Sequence, residues 1–129
     1  FDVRACTDVT GFGLIGHGDE MIRSTSLGLE IDAASLPFFA EARRHAAMGL
    51  LPGGLHRNRA HWKETFAIGA GVDPFFADLA CDPQTSGGLL IAVPADETQP
   101  LVDALRADGI PAAAIARFVE DSKERLRLG

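Results

Sequence analysis

Cysteine is scarce in this sequence: two residues, Cys6 and Cys81, in 129. They are not in Cys-x-x-Cys spacing, so neither a zinc knuckle nor a redox pair is signalled. A disulfide scaffold would need more bridges at this length. The expectation is two free thiols in a reducing, cytoplasmic setting, with nothing in the sequence to mark either as a reactive thiolate. Also missing is any apolar run near the roughly 20 residues that cross a bilayer, so no membrane span is expected. A basic excess is lacking too. Eighteen acidic residues against 12 basic ones leave a formal charge of −6, whereas a nucleic-acid surface needs cations to neutralise phosphates. The densest basic stretches are Arg43-Arg44-His45, His56-Arg57-Asn58-Arg59 and the tail from Lys123 to Arg127, which Glu120, Asp121 and Glu124 dilute. Nucleic acid is therefore not an expected partner. There is no internal repeat and no initiating Met. Phe1 opens what reads as the interior of a motif, so the chain is expected to be a piece of something longer.

What is present is the composition of one globular core: 47% hydrophobic and 23% charged residues, at a common single-domain length. Apolar spacing through Phe12, Leu14, Ile15, Met21 and Ile22 predicts a helix from Gly11 to about Thr25, with Thr10 as N-cap and Ser24-Thr25-Ser26 as its end. Leu27 to Ile31 reads as a strand. A second helix is expected from Leu36-Pro37 to Met48, because Pro suits a helix's first position. Gly49 to Trp62 reads as a long loop, of the kind that is often functional. Asp73 to Leu79 reads as a short helix, and Cys81 to Gly88 as turn chemistry throughout. A strand over Leu89–Val93, a helix over Asp96–Ala107 and a strand over Ala113–Val119 suggest a β-α-β unit. The predicted class is α/β (α+β mixed), a mixed sheet with packed helices.

Gly11-Phe12-Gly13-Leu14-Ile15-Gly16 is a literal G-x-G-x-x-G, and Glu30 and Asp32 follow near the distance of a ribose-binding carboxylate. A dinucleotide fingerprint also needs a greasy strand running into its first glycine. Ala5-Cys6-Thr7-Asp8-Val9-Thr10 is too polar for that, so a dinucleotide site is not expected. The glycines instead open the first turns of a helix to another surface or ligand, and a helix start presents N–H groups to phosphate. That field contributes only about 0.3–1 kcal/mol at an exposed site, whereas a divalent ion stabilises phosphoryl charge by several kcal/mol. Asp8 is the local hard-oxygen donor for Mg²⁺. An Asx-turn or an ion pair with Arg4 is the commoner role for an isolated Asp before a helix, and spacing alone does not settle the matter.

The string Ala5-Cys6-Thr7-Asp8-Val9-Thr10-Gly11-Phe12-Gly13-Leu14-Ile15-Gly16-His17 closely resembles a signature of the selenophosphate synthetase (selenide, water dikinase) family. Pro52-Gly53-Gly54 with Arg57-Asn58, and Asp82-Pro83-Gln84-Thr85-Ser86-Gly87-Gly88-Leu89-Leu90, resemble two further blocks of that family in the same order. The resemblance implies the C-terminal domain of the aminoimidazole-ribotide-synthetase-like type. It implies a two-domain enzyme that uses ATP and Mg²⁺ to phosphorylate selenide, yielding selenophosphate, AMP and phosphate. Residues 1–129 then form one domain, the C-terminal half, and their partners are ATP, selenide, an N-terminal domain and, in the full-length protein, a second copy. Of the site residues only Asp8 carries over, as a Mg²⁺ ligand. The reactive Cys or selenocysteine belongs to the N-terminal half, and Cys6 and Cys81 do not match it. Gly18-Asp19 after His17 and Ile115-Ala116-Arg117 near the end depart from the family pattern.

Thr10, Gly11, Gly13, Thr85, Ser86, Gly87 and Gly88 are the expected phosphate-proximal residues. For Thr85–Gly88 a tight turn entering the strand is an equal alternative. His17 is expected to be a structural histidine, and His56 and His61 to be solvated loop residues without a third ligand. Arg57 and Arg59 can meet phosphates, although a surface loop is the default. A thiol hydrolase using Cys6 has no fixed base. Other readings of the chain are a non-catalytic binding or assembly module on the same scaffold, or another ATP-dependent enzyme of the superfamily.

Overall fold

A computed structural model describes residues 1–120 and 125–129. Lys123 of the basic tail lies outside them, as do Asp121 and Glu124. The described residues form two sheets. Strand β1 (Ala5–Asp8) pairs antiparallel with β4 (Leu89–Ala92) as a two-stranded ribbon. The second sheet has the order β3-β6-β2-β5, from β3 (Phe66–Ile68), β6 (Leu126–Leu128), β2 (Leu27–Ile31) and β5 (Ala116–Glu120). Its β2–β5 pair is antiparallel, while β2–β6 and β3–β6 are parallel. The fold is thus the expected mixed α/β arrangement.

Three strands (β1, β3 and β6) and one helix come from sequence that gave no such sign. Leu126-Arg127-Leu128 is only three residues long, yet Leu126 and Leu128 are fully buried in the centre of the second sheet. The segment expected to be a loop is helix α3 (Gly53–His61) after Pro52. Gly53 and Gly54, part of that expected loop, occupy its first turn, while Leu55, Asn58 and Trp62 share one buried face at helical spacing. The helix expected from Leu36 is instead a 3₁₀ turn (Ala33–Ser35), then extended chain, then the six-residue α2 (Ala42–Ala47). The Asp32 side chain caps that 3₁₀ turn by accepting from the Ala34 N–H at 3.0 Å. Leu36 precedes Pro37, whose ring disfavours helical geometry in the residue before it, and Leu36 sits at ψ 121°.

Helix α1 (Gly13–Ile22) is close to the expected one, and it buries Ile15 and Ile22 against β2 and β6. A Cβ on Gly16 would come within 2.7 Å of the Trp62 ring, so α1 and the end of α3 meet only because that position has no side chain. Thr10 is not the N-cap. Phe12 holds that place without a side-chain cap, and the Thr10 hydroxyl turns to His17. Helix α4 (Pro74–Cys81) starts under an Asp73 cap, whose carboxylate accepts from the Phe75 N–H at 2.9 Å.

The expected β-α-β unit does not form. Helix α5 (Ala95–Ala107) leaves β4 in the ribbon and leads to β5 in the other sheet, so it bridges two sheets rather than crossing over one. No helix among the described residues is long and apolar enough to cross a membrane.

Candidate functional site

The three sequence blocks converge around the start of α1. Ribbon register sets Asp8 opposite Leu89, and the Val9 N–H donates to the Gly88 carbonyl at 2.9 Å. The Gln84 N–H donates to the Thr10 carbonyl at 3.0 Å. Thus the turn over 82–88 is laid directly along Val9 and Thr10. Gly87 permits this contact, because a Cβ there would lie 2.5 Å from the Val9 carbonyl oxygen. Gly13 permits another. Its φ is +69°, and a Cβ would meet the Cys81 carbonyl carbon at 2.9 Å. The middle block closes the cluster: the Asn58 amide donates to the Gly11 carbonyl at 2.9 Å and to the Cys81 carbonyl at 3.0 Å.

Asp8 ends β1 with its side chain exposed. The Arg4 pairing considered from sequence does not occur: Arg4 pairs with Asp2 at 2.5 Å, and no ion pair among the described residues engages Asp8. A lone exposed carboxylate fits one position of a Mg²⁺ shell, a hard cation that keeps water and phosphate oxygens as its other ligands. Among the described residues no group of three His, Cys, Asp or Glu could hold a metal ion. Thr85, Ser86, Gly87 and Gly88 are exposed along the same rim, as is Gly11; Thr10 is half-buried and Gly13 buried.

Several other candidates have structural employment. The His17 Nε2 accepts from the Thr10 N–H at 3.0 Å, which leaves the ring proton on Nδ1, 3.0 Å from Glu20 Oε2. Glu30 pairs with Arg117 at 2.7 Å and Asp32 caps a turn, so neither waits for a ribose. The β1–α1 passage also fails as a dinucleotide unit, since among the described residues β1 pairs only with β4, and antiparallel. Arg59 is held by Asp78, which leaves it less available to a phosphate, whereas Arg57 stays on the surface. His56 and His61 are exposed, and His61 packs edge-on against Trp62 with ring centres 4.6 Å apart.

Cys81 is buried at the end of α4, and burial pushes its thiol up to about 11, with Arg59 opposing and Asp78 assisting. It is an inert packing group at neutral pH. Cys6 is a free, exposed thiol. Burial also pushes the neighbouring Asp82 carboxyl up, partly offset by the Gln84 amide 3.0 Å away. Asn58 is the residue whose role sequence reasoning missed. The available sign was a polar side chain on the same helical face as Leu55 and Trp62.

Comparison with known proteins shows the family to which the chain belongs. The family model described as AIR synthase related protein, C-terminal domain, matches residues 1–129. A selenide, water dikinase of Pelobacter propionicus is 49% identical over 127 residues, covering 98% of this chain and 36% of that protein. Selenide, water dikinase 2 of Peptoclostridium acidaminophilum is 38% identical over 125 residues, covering 97% and 36%. A selenide, water dikinase of Nitratidesulfovibrio vulgaris is 39% identical over 126 residues, covering 98% and 36%. The chain spans about a third of the length of these relatives.

Proposed function

The chain belongs to the AIR synthase related protein C-terminal domain family, and from that membership and the geometry around Asp8 we propose that it is the C-terminal domain of a selenide, water dikinase. In this reading a longer, cytoplasmic protein, acting as a homodimer, uses ATP to phosphorylate selenide and releases selenophosphate, AMP and phosphate. Residues 1–129 form one wall of the nucleotide cleft, and an N-terminal domain of the full-length protein brings the nucleophile and the remaining metal ligands.

The supporting observation is the meeting of the two strings at one rim. The ribbon sets Asp8 opposite Leu89, directly beside the Gly87-Gly88 turn. An exposed carboxylate there can hold Mg²⁺, while Thr10, Gly11, Thr85, Ser86, Gly87 and Gly88 border the phosphates; Gly13, expected among them, is instead buried against the Cys81 backbone. When bound, Mg²⁺ neutralises charge that develops on the transferring phosphoryl group. This chain's own contribution is orientation. A stiff ribbon and an interlocked turn keep the carboxylate and the backbone donors at fixed positions, so little reorganisation is needed as charge moves.

The test uses the full-length protein that carries this chain. Asp8→Asn is expected to lower Mg²⁺-dependent selenophosphate formation while leaving the circular dichroism spectrum and melting temperature unchanged. Wild-type turnover in that variant would remove Asp8 from the mechanism. Selenophosphate production by the isolated 129-residue chain would overturn the assignment of the nucleophile to the N-terminal domain.

A further inference from the structure

Two polar side chains are buried among the described residues, His17 and Asn58, at 5% and 8% exposure. They come from different helices, α1 and α3, and both reach the same short turn, Thr10–Phe12. His17 Nε2 accepts the Thr10 N–H at 3.0 Å, with the Thr10 hydroxyl also 3.0 Å away. Asn58 donates one amide proton to the Gly11 carbonyl and the other to the Cys81 carbonyl. Burying a polar side chain costs free energy unless every group is partnered, and a half-satisfied one is worse than an apolar residue. Local helix stability explains neither residue. Asn58 bonds across 47 positions to Gly11, and His17 bonds to a residue ahead of its own helix. Their common effect is to fix the backbone immediately after Asp8.

We propose that His17 and Asn58 are positioning residues that clamp the Thr10–Gly11 turn and thereby set where the Asp8 carboxylate and the adjoining phosphate-facing backbone lie. The proposal rests on the reading of Asp8 given above. The clamp has a defined chemical requirement at each end. At His17 it needs an acceptor on the far ring nitrogen. Glu20 Oε2 secures this by accepting a hydrogen bond from Nδ1–H, and Glu20 in turn lies 3.7 Å from Arg23. The edge of the imidazole is closed by Phe12, with ring centres 6.0 Å apart. At Asn58 it needs two donors, because both partners are carbonyl oxygens. A carboxylate of the same shape would face them with like partial charge.

The experiment compares His17→Leu, His17→Gln, Asn58→Asp and Glu20→Ala in the full-length protein. It measures kcat and KM for ATP, melting temperature, and hydrogen exchange at the Thr10 amide. Gln can place its carbonyl oxygen near the position of Nε2, so it tests whether the acceptor itself matters. The expected result for His17→Leu and Asn58→Asp is a fall of about tenfold to a hundredfold in kcat with KM changed much less, as misplacement of a catalytic group by about 1 Å produces. Thr10 exchange becomes faster, and His17→Gln recovers most of both readouts. Glu20→Ala, at a surface position that tolerates change, shifts kcat in the same direction. Unchanged kcat in folded His17→Leu overturns the proposal. So does a loss that merely follows the folded fraction and is not restored by Gln. If His17→Leu fails to fold, wild-type kcat in both Asn58→Asp and Glu20→Ala overturns it equally. A fully active Asp8→Asn retires the metal reading alone, since Thr10 exchange reports the clamp independently of Asp8.

Discussion

Gly87 lies so close to Val9 that a Cβ on Gly87 would stand 2.5 Å from the Val9 carbonyl oxygen. That approach joins the turn over 82–88 to the end of β1, and it makes the glycine a matter of space rather than of flexibility. The adjacent Val9 N–H to Gly88 carbonyl bond, 2.9 Å long, depends on it.

Gly87→Ala must therefore push backbone from backbone, and its expected cost is about 1–3 kcal/mol, the usual range for overpacking. Gly11→Ala meets nothing within 4 Å and is expected to change stability by less than about 0.5 kcal/mol, as surface substitutions do. Urea unfolding of the two variants side by side checks the contrast. Equal stability would mean that the turn yields freely.

Cys81 supplies a pH dependence with a definite sign. Its folded thiol titrates at about 11 against a reference of 9.0, so the folded state holds the proton more tightly than the unfolded chain. Its contribution is fully present below about pH 9 and is lost as pH rises through 11, for a total of about 2–3 kcal/mol. Stability curves from pH 8 to 11.5 should fall more steeply for the wild type than for Cys81→Ala. Parallel curves would show that Cys81 ionises without unfolding the helix end.

Asp73 works in the opposite direction. Hydrogen bonding from Arg43, and then from the Phe75 N–H, holds its carboxyl below the reference of 3.8. A lowered carboxyl contributes stability above about pH 4 that disappears as pH falls through the folded value. Asp73→Ala is expected to lower the melting temperature at neutral pH and to flatten its acid dependence. A melting temperature that stays put at pH 7 would show that α4 does not rely on this cap.

Leu126→Ala probes the strand that local sequence did not announce. The side chain is fully buried between β2 and β3, and its truncation is expected to cost about 2–5 kcal/mol. Arg127→Ala, on the exposed side of the same strand, should cost far less. Chemical denaturation of both variants measures the difference, and similar losses would contradict the central place of β6.

Much of the local structure was legible in the residues themselves. The apolar spacing of Ile15 and Ile22, the alternation over 27–31, the Asp73-Pro74 start of α4 and the turn residues over 82–88 act over a few positions, where spacing and turn chemistry carry the information. Pro37 and the Gly53-Gly54 pair misled for the same local reason. Pro37 acted through the residue before it, and the glycines fell in a first turn, where tertiary burial of Leu55 and Trp62 outweighs their poor propensity.

The sequence by itself determined the α/β class and the three family blocks, and it marked Asp8 as a candidate hard-oxygen donor. Tertiary structure alone decided that β4 pairs with β1 rather than standing beside β5, and that Leu126 and Leu128 close the second sheet. It also decided that His17 and Asn58 converge on Thr10 and Gly11, and that Cys81 is shielded. Each of those depends on contacts between residues far apart in the chain, selected by the burial of apolar surface and the pairing of polar groups across the core, which no short stretch of residues encodes.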